Sequence, residues 1–251
     1  MKRGICVLAL AAVCAPLLLL LVAPAGSAAD APDESPLADV LRRGGYTVSL
    51  DLRVRKKKRD SLQHFLEILD GEAPPNAYAT GFVVGDGLVM TAYHTVSGEL
   101  SAGKRKELGF SRDESLEVAA SVNGCGAAVL KVDAEADLAL LQVCRAKRRS
   151  GAPAFQAAPA RDDELLVIAR PNGARAVRRG VLSGTYDYRG RQFWAATIEG
   201  RDGFSGSPVY NGRGEIVGVF SGYDSARKVS LISPAARAQK LLEDYASGPK
   251  R

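Results

Sequence analysis

Six residues, Gly203-Phe204-Ser205-Gly206-Ser207-Pro208, carry the strongest chemical signal in the chain. A serine followed by a glycine, with another glycine two residues before it, lets the backbone amides of Gly203 and Ser205 converge on one point in front of the hydroxyl. That point can hold an oxyanion. Val209-Tyr210 and the turn Asn211-Gly212-Arg213-Gly214 follow as a strand pair that supplies a rigid floor. This is how a nucleophilic serine is presented; a Gly/Ser-rich loop between strands is the competing reading.

A serine nucleophile needs a base, and the chain has only two histidines. His64 falls in the segment from Asp60 to Gly71, which reads as a short helix capped by Asp60 and Gln63 and ended by Gly71. Its apolar stripe, Leu62, Phe65, Leu66 and Leu69, leaves His64 on the solvated face. His94 instead ends two short apolar strands joined at Asp86-Gly87, next to Thr91-Ala92. It is the candidate base, with a buried structural histidine as the alternative. A third group must orient the imidazole and stabilise the imidazolium. Asp137 leads directly into Leu138-Ala139-Leu140-Leu141-Gln142-Val143, where an unpaired carboxylate would be costly, so a partner is expected. Asp133 competes, but it stands with Ala134-Glu135-Ala136 in a turn and suits an exposed role.

Chain order narrows the fold. Both histidines precede Ser205, which excludes an α/β-hydrolase, where the histidine follows the serine. Short strands punctuated by Gly, Asn and Asp recur every ten or so residues with few helical stretches, which speaks for an all-β chain and against a subtilisin-like one. Two histidines and four cysteines provide no ligand set for a zinc hydrolase.

Thr91-Ala92-Tyr93-His94, Asp137-Leu138-Ala139-Leu140-Leu141 and Gly203-Phe204-Ser205-Gly206-Ser207-Pro208, in that order, resemble the three signature blocks of the trypsin-like serine peptidases. The likeness is nearest to the bacterial HtrA-type and glutamyl-endopeptidase-like branches and spans Ala79 to about Tyr245. Leu165 to Gly173 and Gly180 to Gly184 resemble the first strands of a second barrel, and Val229 to Pro234 its last strand. The resemblance implies two antiparallel six-stranded β-barrels with the site in the cleft between them, a short helix before them and a helix at the C-terminal end. It also implies polypeptide substrates, cleaved through Ser205, His94 and Asp137 without a metal or organic cofactor. Phe204 stands where the zymogen-activated branch has an acid, so that switch is not expected to operate. Ser207 matches the glutamyl-endopeptidase-like branch, but Val217 to Tyr223 lacks the histidine that binds an acidic side chain there, so Glu-specificity is not expected. Ser221 falls where the family often has a serine bonded to the catalytic acid. For the substrate pocket two readings stay open: Glu199 at its base would favour Lys or Arg, whereas Phe220 and Tyr223 would narrow it toward small side chains. A trypsin-fold binding or scaffold protein without turnover is the alternative function, and an esterase would share the chemistry.

Length and composition fit one two-barrel domain: 251 residues, 46% of them hydrophobic. The expected division is a targeting segment over 1–29, a linker and basic extension over 30–71, and the peptidase domain over 72–251, with no PDZ domain expected after Tyr245. Lys2 and Arg3 precede an apolar run from Ile5 to Val22, and Ser27 and Ala29 put small residues at the positions read before a cut after Ala29. Export to the periplasm or the exterior is expected; an uncleaved membrane anchor is the alternative, since the run is long enough to span. Removing Lys2 and Arg3 lowers the formal net charge of +6 by two. The remaining positive charge gathers in Arg53, Arg55, Lys56, Lys57, Lys58 and Arg59. In an exported chain these suit an anionic lipid, polymer or acidic protein rather than nucleic acid; a solvated edge strand that resists edge-to-edge pairing is equally consistent. Cys125 and Cys144 are the cysteines that remain after export. Two strands around a turn near Ala134 to Ala136 would set them opposite one another, so a disulfide is expected, with two unpaired buried thiols as the alternative.

Overall fold

Two hydrophobic patterns build the strands. In β1 (Thr47–Lys56) the buried residues Leu50, Leu52 and Val54 alternate with Asp51, Arg53 and Arg55, the period of a strand covered on one face. β6 (Leu138–Val143) and β7 (Glu164–Ala169) are apolar at nearly every position because both of their faces are covered. Ala139, Leu141 and Val143 of β6 fill a first barrel, while Leu138 and Leu140 enter a second, shared core. Leu165, Val167 and Ala169 of β7 likewise fill a second barrel, and Leu166 and Ile168 enter the shared core from the other side.

The computed structural model describes residues 36–57, 75–144, 154–156 and 158–248. The targeting segment, Lys58, Arg59 and the helix expected over Asp60 to Gly71 with His64 lie outside the described residues. The first antiparallel barrel closes in the order β1, β2 (Ala77–Gly85), β3 (Leu88–Ala92), β6, β5 (Cys125–Asp133), β4 (Leu116–Val122). The second closes as β10 (Pro208–Asn211), β11 (Ile216–Asp224), β12 (Val229–Pro234), β9 (Arg191–Ala196), β8 (Ala176–Tyr188), β7. Closure pairs each barrel's strands on both sides and removes open edges. Phe82, Met90, Leu138, Leu140, Ile168 and Tyr210 meet in the core between the barrels. The tightly buried Tyr210 phenol is pushed far above its ordinary pKa by desolvation.

Four α-helices complete the described residues. α1 (Pro36–Arg42) packs Val40, Leu37 and Leu41 on the shared core, and α4 (Ala235–Ala246) adds Ala238 and Leu241 to it. Arg237 of α4 bonds both carboxylate oxygens of Asp133 at 2.8 Å, which clips the helix to the β5–β6 hairpin and gives Asp133 a structural place. α2 (His94–Ser97) and α3 (Ala102–Glu107) lie in the connection from β3 to β4. Among the described residues no helix is long and apolar enough to cross a membrane.

The structure moves one expected boundary. β1 pairs with β2 through Thr47–Leu52 and with β4 through Asp51–Lys56, so it is an integral barrel strand and not part of an extension preceding residue 72. Nor is it an edge strand. Arg53 and Arg55 lie on its outer face and Lys56 at its exposed end; Arg55 meets Glu117 of β4 at 2.6 Å, and Lys56 meets Glu114, just before β4, at 2.5 Å. Lys56 holds the Glu114 carboxyl below the usual range. Cross-strand pairing of this kind explains why charges can stand along a barrel strand without a partner molecule.

Cys125 and Cys144 are joined by a disulfide, with their Cα atoms 6.2 Å apart. The β5–β6 ladder runs from Asp133↔Leu138 to Ala127↔Val143 and carries one extra residue, Leu130, in β5. Continued one step past Ala127↔Val143, this register sets Cys144 opposite Gly126, so the cysteines are diagonal neighbours and not directly opposite; without the bulge they would stand one residue further apart. The bridge spans a sequence separation of 19, and constraining a loop of that size stabilises the fold by about 3 kcal/mol in the chain-entropy model. Reduction is therefore expected to lower the thermal midpoint by roughly 5–10 °C. Identical melting with and without reductant in calorimetry would contradict this.

Candidate active site

The first barrel presents two of the three expected groups. β3 ends at Ala92, and the chain turns into α2 so that His94 is its first residue, with its side chain about one-third exposed. Asp137 occupies the turn that enters β6 with φ of 55°, a left-handed conformation that aspartate tolerates better than most residues. Three bonds join the two segments. Tyr93 N–H donates to the Asp137 carbonyl at 3.0 Å. His94 N–H donates to Asp137 Oδ1 at 2.8 Å, and His94 Nδ1 lies 2.8 Å from Asp137 Oδ2. An ionised carboxylate can only accept, so the proton sits on Nδ1 and Nε2 is left with its lone pair outward. Asp137 is buried, and these donors offset the cost of desolvating it.

The second barrel brings the hydroxyl. Ser205 Oγ lies 2.9 Å from His94 Nε2, an interaction between residues 111 positions apart. The segment holding Ser205 is two consecutive tight turns: Phe204 N–H donates to Arg201 O at 3.1 Å and Ser207 N–H to Phe204 O at 3.0 Å. Gly203 and Gly206 stand at the third position of these turns with φ of 83° and 84°, where a type II turn needs a residue without a Cβ. At Gly206 the constraint is doubled, since a Cβ there would fall 2.1 Å from both Thr80 O and Thr91 Oγ1 of the first barrel. The alternate amides of Phe204, Gly206 and Ser207 all have backbone acceptors, whereas those of Gly203 and Ser205 have none among the described residues. Two uncommitted donors beside a hydroxyl can receive a developing oxyanion.

The remaining expected residues divide. Glu199 is exposed and 3.8 Å from Arg201, so it forms no buried pocket base. Phe220 is buried in the second barrel, with its ring edge-on to Phe204 at 6.0 Å between centroids. A Cβ built on Gly200 would lie 2.7 Å from both Phe220 Cζ and Tyr223 Cβ. The two walls beside the serine loop therefore touch. Ser221 does not bond Asp137: its hydroxyl lies 2.8 Å from Ser233 Oγ, and Ser233 donates to the carbonyl of Ala136, the residue before the acid. Because the Ser233 proton is used on Ala136, Ser221 is the donor to Ser233. The link to the acid's turn is real but one residue longer than the resemblance implies, because Ser233 of β12 stands between them.

Residues not singled out by the sequence also hold the site. Lys104 of α3 reaches Asp202, next to Gly203, at 2.9 Å and Glu107 at 2.7 Å. Partial burial pulls its pKa down, but those two acids outweigh it and leave the ammonium favoured. Thr80 and Ser233, both fully buried, bond backbone of the opposite barrel. A buried hydroxyl in an apolar strand is the only sequence signal either one offers.

No curated protein matches the chain. The trypsin-like peptidase domain, as a family, matches residues 79–219, more than half of the chain, and the match runs from β2 through the serine loop into β11. With two closed six-stranded antiparallel barrels bearing that match, this chain belongs to the trypsin-like peptidase family.

Proposed function

We propose that the chain is an exported serine endopeptidase. The observation that carries the reading is the continuous line from Asp137 Oδ2 through the His94 ring to Ser205 Oγ, with bonds of 2.8 and 2.9 Å, ending beside the uncommitted Gly203 and Ser205 amides. Ser205 Oγ attacks the peptide carbonyl as His94 Nε2 takes its proton, and the oxyanion settles on the two amides. His94 then gives that proton to the departing amine, leaving an acyl-serine. Water repeats the sequence: it loses a proton to His94, attacks the acyl carbon, and Ser205 recovers the proton as it leaves. Asp137 holds the imidazole tautomer and stabilises the imidazolium throughout, remaining ionised. An inert scaffold on the same fold would have no need of this line or of the two open donors.

The contact of Gly200 with Phe220 and Tyr223 favours the narrow-pocket reading over the one based on Glu199. With the carbonyl oxygen on the Gly203 and Ser205 amides, the acyl side chain points between the loop before Ser205 and β11, where those walls meet. Substrates with Ala, Ser or Val before the scissile bond fit; Phe, Lys and Arg do not.

Purified protein is expected to cleave casein, and peptides with Ala or Val at P1 are expected to be cut at least ~100-fold more efficiently than their Phe or Arg counterparts, since each misfit costs several kcal/mol. Ser205→Ala should abolish both activities with little change in thermal midpoint, a hydroxyl facing the cleft contributing little to stability. Activity that survives Ser205→Ala would refute the nucleophile, and a preference for Arg would restore Glu199. Asp137→Asn should fold yet lose roughly 10⁴-fold in kcat, because the amide favours the wrong imidazole tautomer; a loss below tenfold would remove Asp137 from the mechanism. Export rests on the charged start, the apolar run and the small residues at Ser27 and Ala29. Mass spectrometry of the native protein should find an N-terminus at or within a few residues of Asp30, and an intact Met1 to Ala29 segment would leave the anchored form.

A further inference from the structure

Thr80 of β2 is buried and makes four hydrogen bonds, three of them across to the other barrel or its loops. Its N–H donates to the Ser205 carbonyl at 2.9 Å. Its hydroxyl donates to the Gly203 carbonyl at 2.7 Å and accepts Arg170 N–H, from the end of β7, at 2.9 Å. Its own carbonyl accepts the Thr91 hydroxyl at 2.8 Å, and a Cβ on Gly206 would collide with that same oxygen. One residue of the first barrel thus fixes the carbonyls of both residues whose amides are uncommitted, and braces the glycine that follows them.

We propose that Thr80 is a positioning residue for the oxyanion-binding amides, an inference that rests on the peptidase reading above. Gly203 has a positive φ and no Cβ, so rotation of its flanking peptides meets little steric resistance. A hole made of two amides works only when both point at the place the oxyanion will occupy. Phe204 N–H is already committed to Arg201, and the Thr80 hydroxyl secures the Gly203 carbonyl of that same peptide, so the unit joining Gly203 to Phe204 is held at both ends. Because the bond from Phe204 N–H to Arg201 O closes the turn that contains the 202–203 peptide, holding this unit restrains the direction in which Gly203 N–H points. The main-chain bond from Thr80 N–H to Ser205 O does the same for the second donor, and no side-chain substitution removes it. The hydroxyl is therefore the separable part of the device.

The discriminating variants are Thr80→Val, which keeps the shape and removes the hydroxyl, and Thr80→Ser, which keeps the hydroxyl. Removing one oxyanion donor outright costs ~10²–10³ in kcat, and loosening one should cost less, about 10- to 100-fold. Turnover is measured per active site counted with a burst titrant, so that misfolded molecules do not enter the rate. The expected result for Thr80→Val is a kcat per titrated site lower by that factor, an unchanged KM, and a proportionate weakening of a peptidyl trifluoromethyl ketone, whose hemiketal oxygen occupies the same hole. Thr80→Ser should restore both. A purely structural threonine would lower the titratable fraction and the thermal midpoint while leaving kcat per site and ketone affinity at wild-type values, and that result overturns the proposal. If Thr80→Val yields no titratable sites, Thr80→Ala is read by the same two quantities. Wild-type protein with neither burst nor hydrolysis would overturn the peptidase reading and this inference with it, whereas an active wild type with an unaffected Thr80→Val overturns this inference alone.

Discussion

The hydrogen bond on which this structure turns is the 2.9 Å contact between His94 Nε2 and Ser205 Oγ, because its two ends belong to different barrels. A bond of that length cannot tolerate a shift of an ångström between the bodies that carry it. The fold meets this demand with strands apolar on both faces. β6 and β7 each give alternate side chains to their own barrel and the rest to the seam, so neither barrel can be repacked without disturbing the other. α1 and α4 add Val40, Ala238 and Leu241 to that seam. The aspartate and histidine need less, being fixed together within one barrel by three bonds.

Each barrel also reaches across to steady the other's functional segment. Thr80, from the first, holds the carbonyls on either side of Phe204 in the serine loop. Ser233, from the second, holds the carbonyl before Asp137, with Ser221 behind it. These contacts fall on segments whose backbones need outside support: Asp137 has a left-handed φ, which costs a residue with a Cβ, and the serine loop has two glycines with φ above 80°, whose freedom must be restrained. Conformations of that kind persist only where their surroundings over-determine them. The fully buried hydroxyls of Thr80 and Ser233 provide the surroundings here.

Much of this was legible because chemistry and packing left separate marks. Ser205 and His94 stand in short motifs, and Asp137 is conspicuous as an acid opening an apolar strand. The nearly continuous apolar runs of β6 and β7 mark strands buried on two sides. The sequence of β1 reads as a strand only to Leu52, since beyond it Val54 alone interrupts a run of basic residues and the alternation disappears. Its true extent follows from backbone pairing of Asp51–Lys56 with β4, some sixty positions away, which no local pattern reveals. The same holds for Thr80, a β-branched residue unremarkable in a strand, whose partners are residues 170, 203 and 205. Nor does the sequence reveal the register shift in β11 between Phe220 and Gly222, which puts Phe220 and Tyr223 on one face, both against Gly200. The bulge at Leu130, which brings the two cysteines to diagonal positions, was hidden for the same reason.

The central claim is that His94 activates Ser205 beside a formed oxyanion site. Covalent modification by a fluorophosphonate, with the adduct mapped by peptide mass spectrometry, tests it without any assumption about the natural substrate. The account predicts a single adduct on Ser205 in the folded protein, formed at a rate that falls by orders of magnitude in His94→Ala and not at all in His64→Ala. A folded, disulfide-bonded protein that stays unmodified, or that reacts equally well without His94, would contradict it.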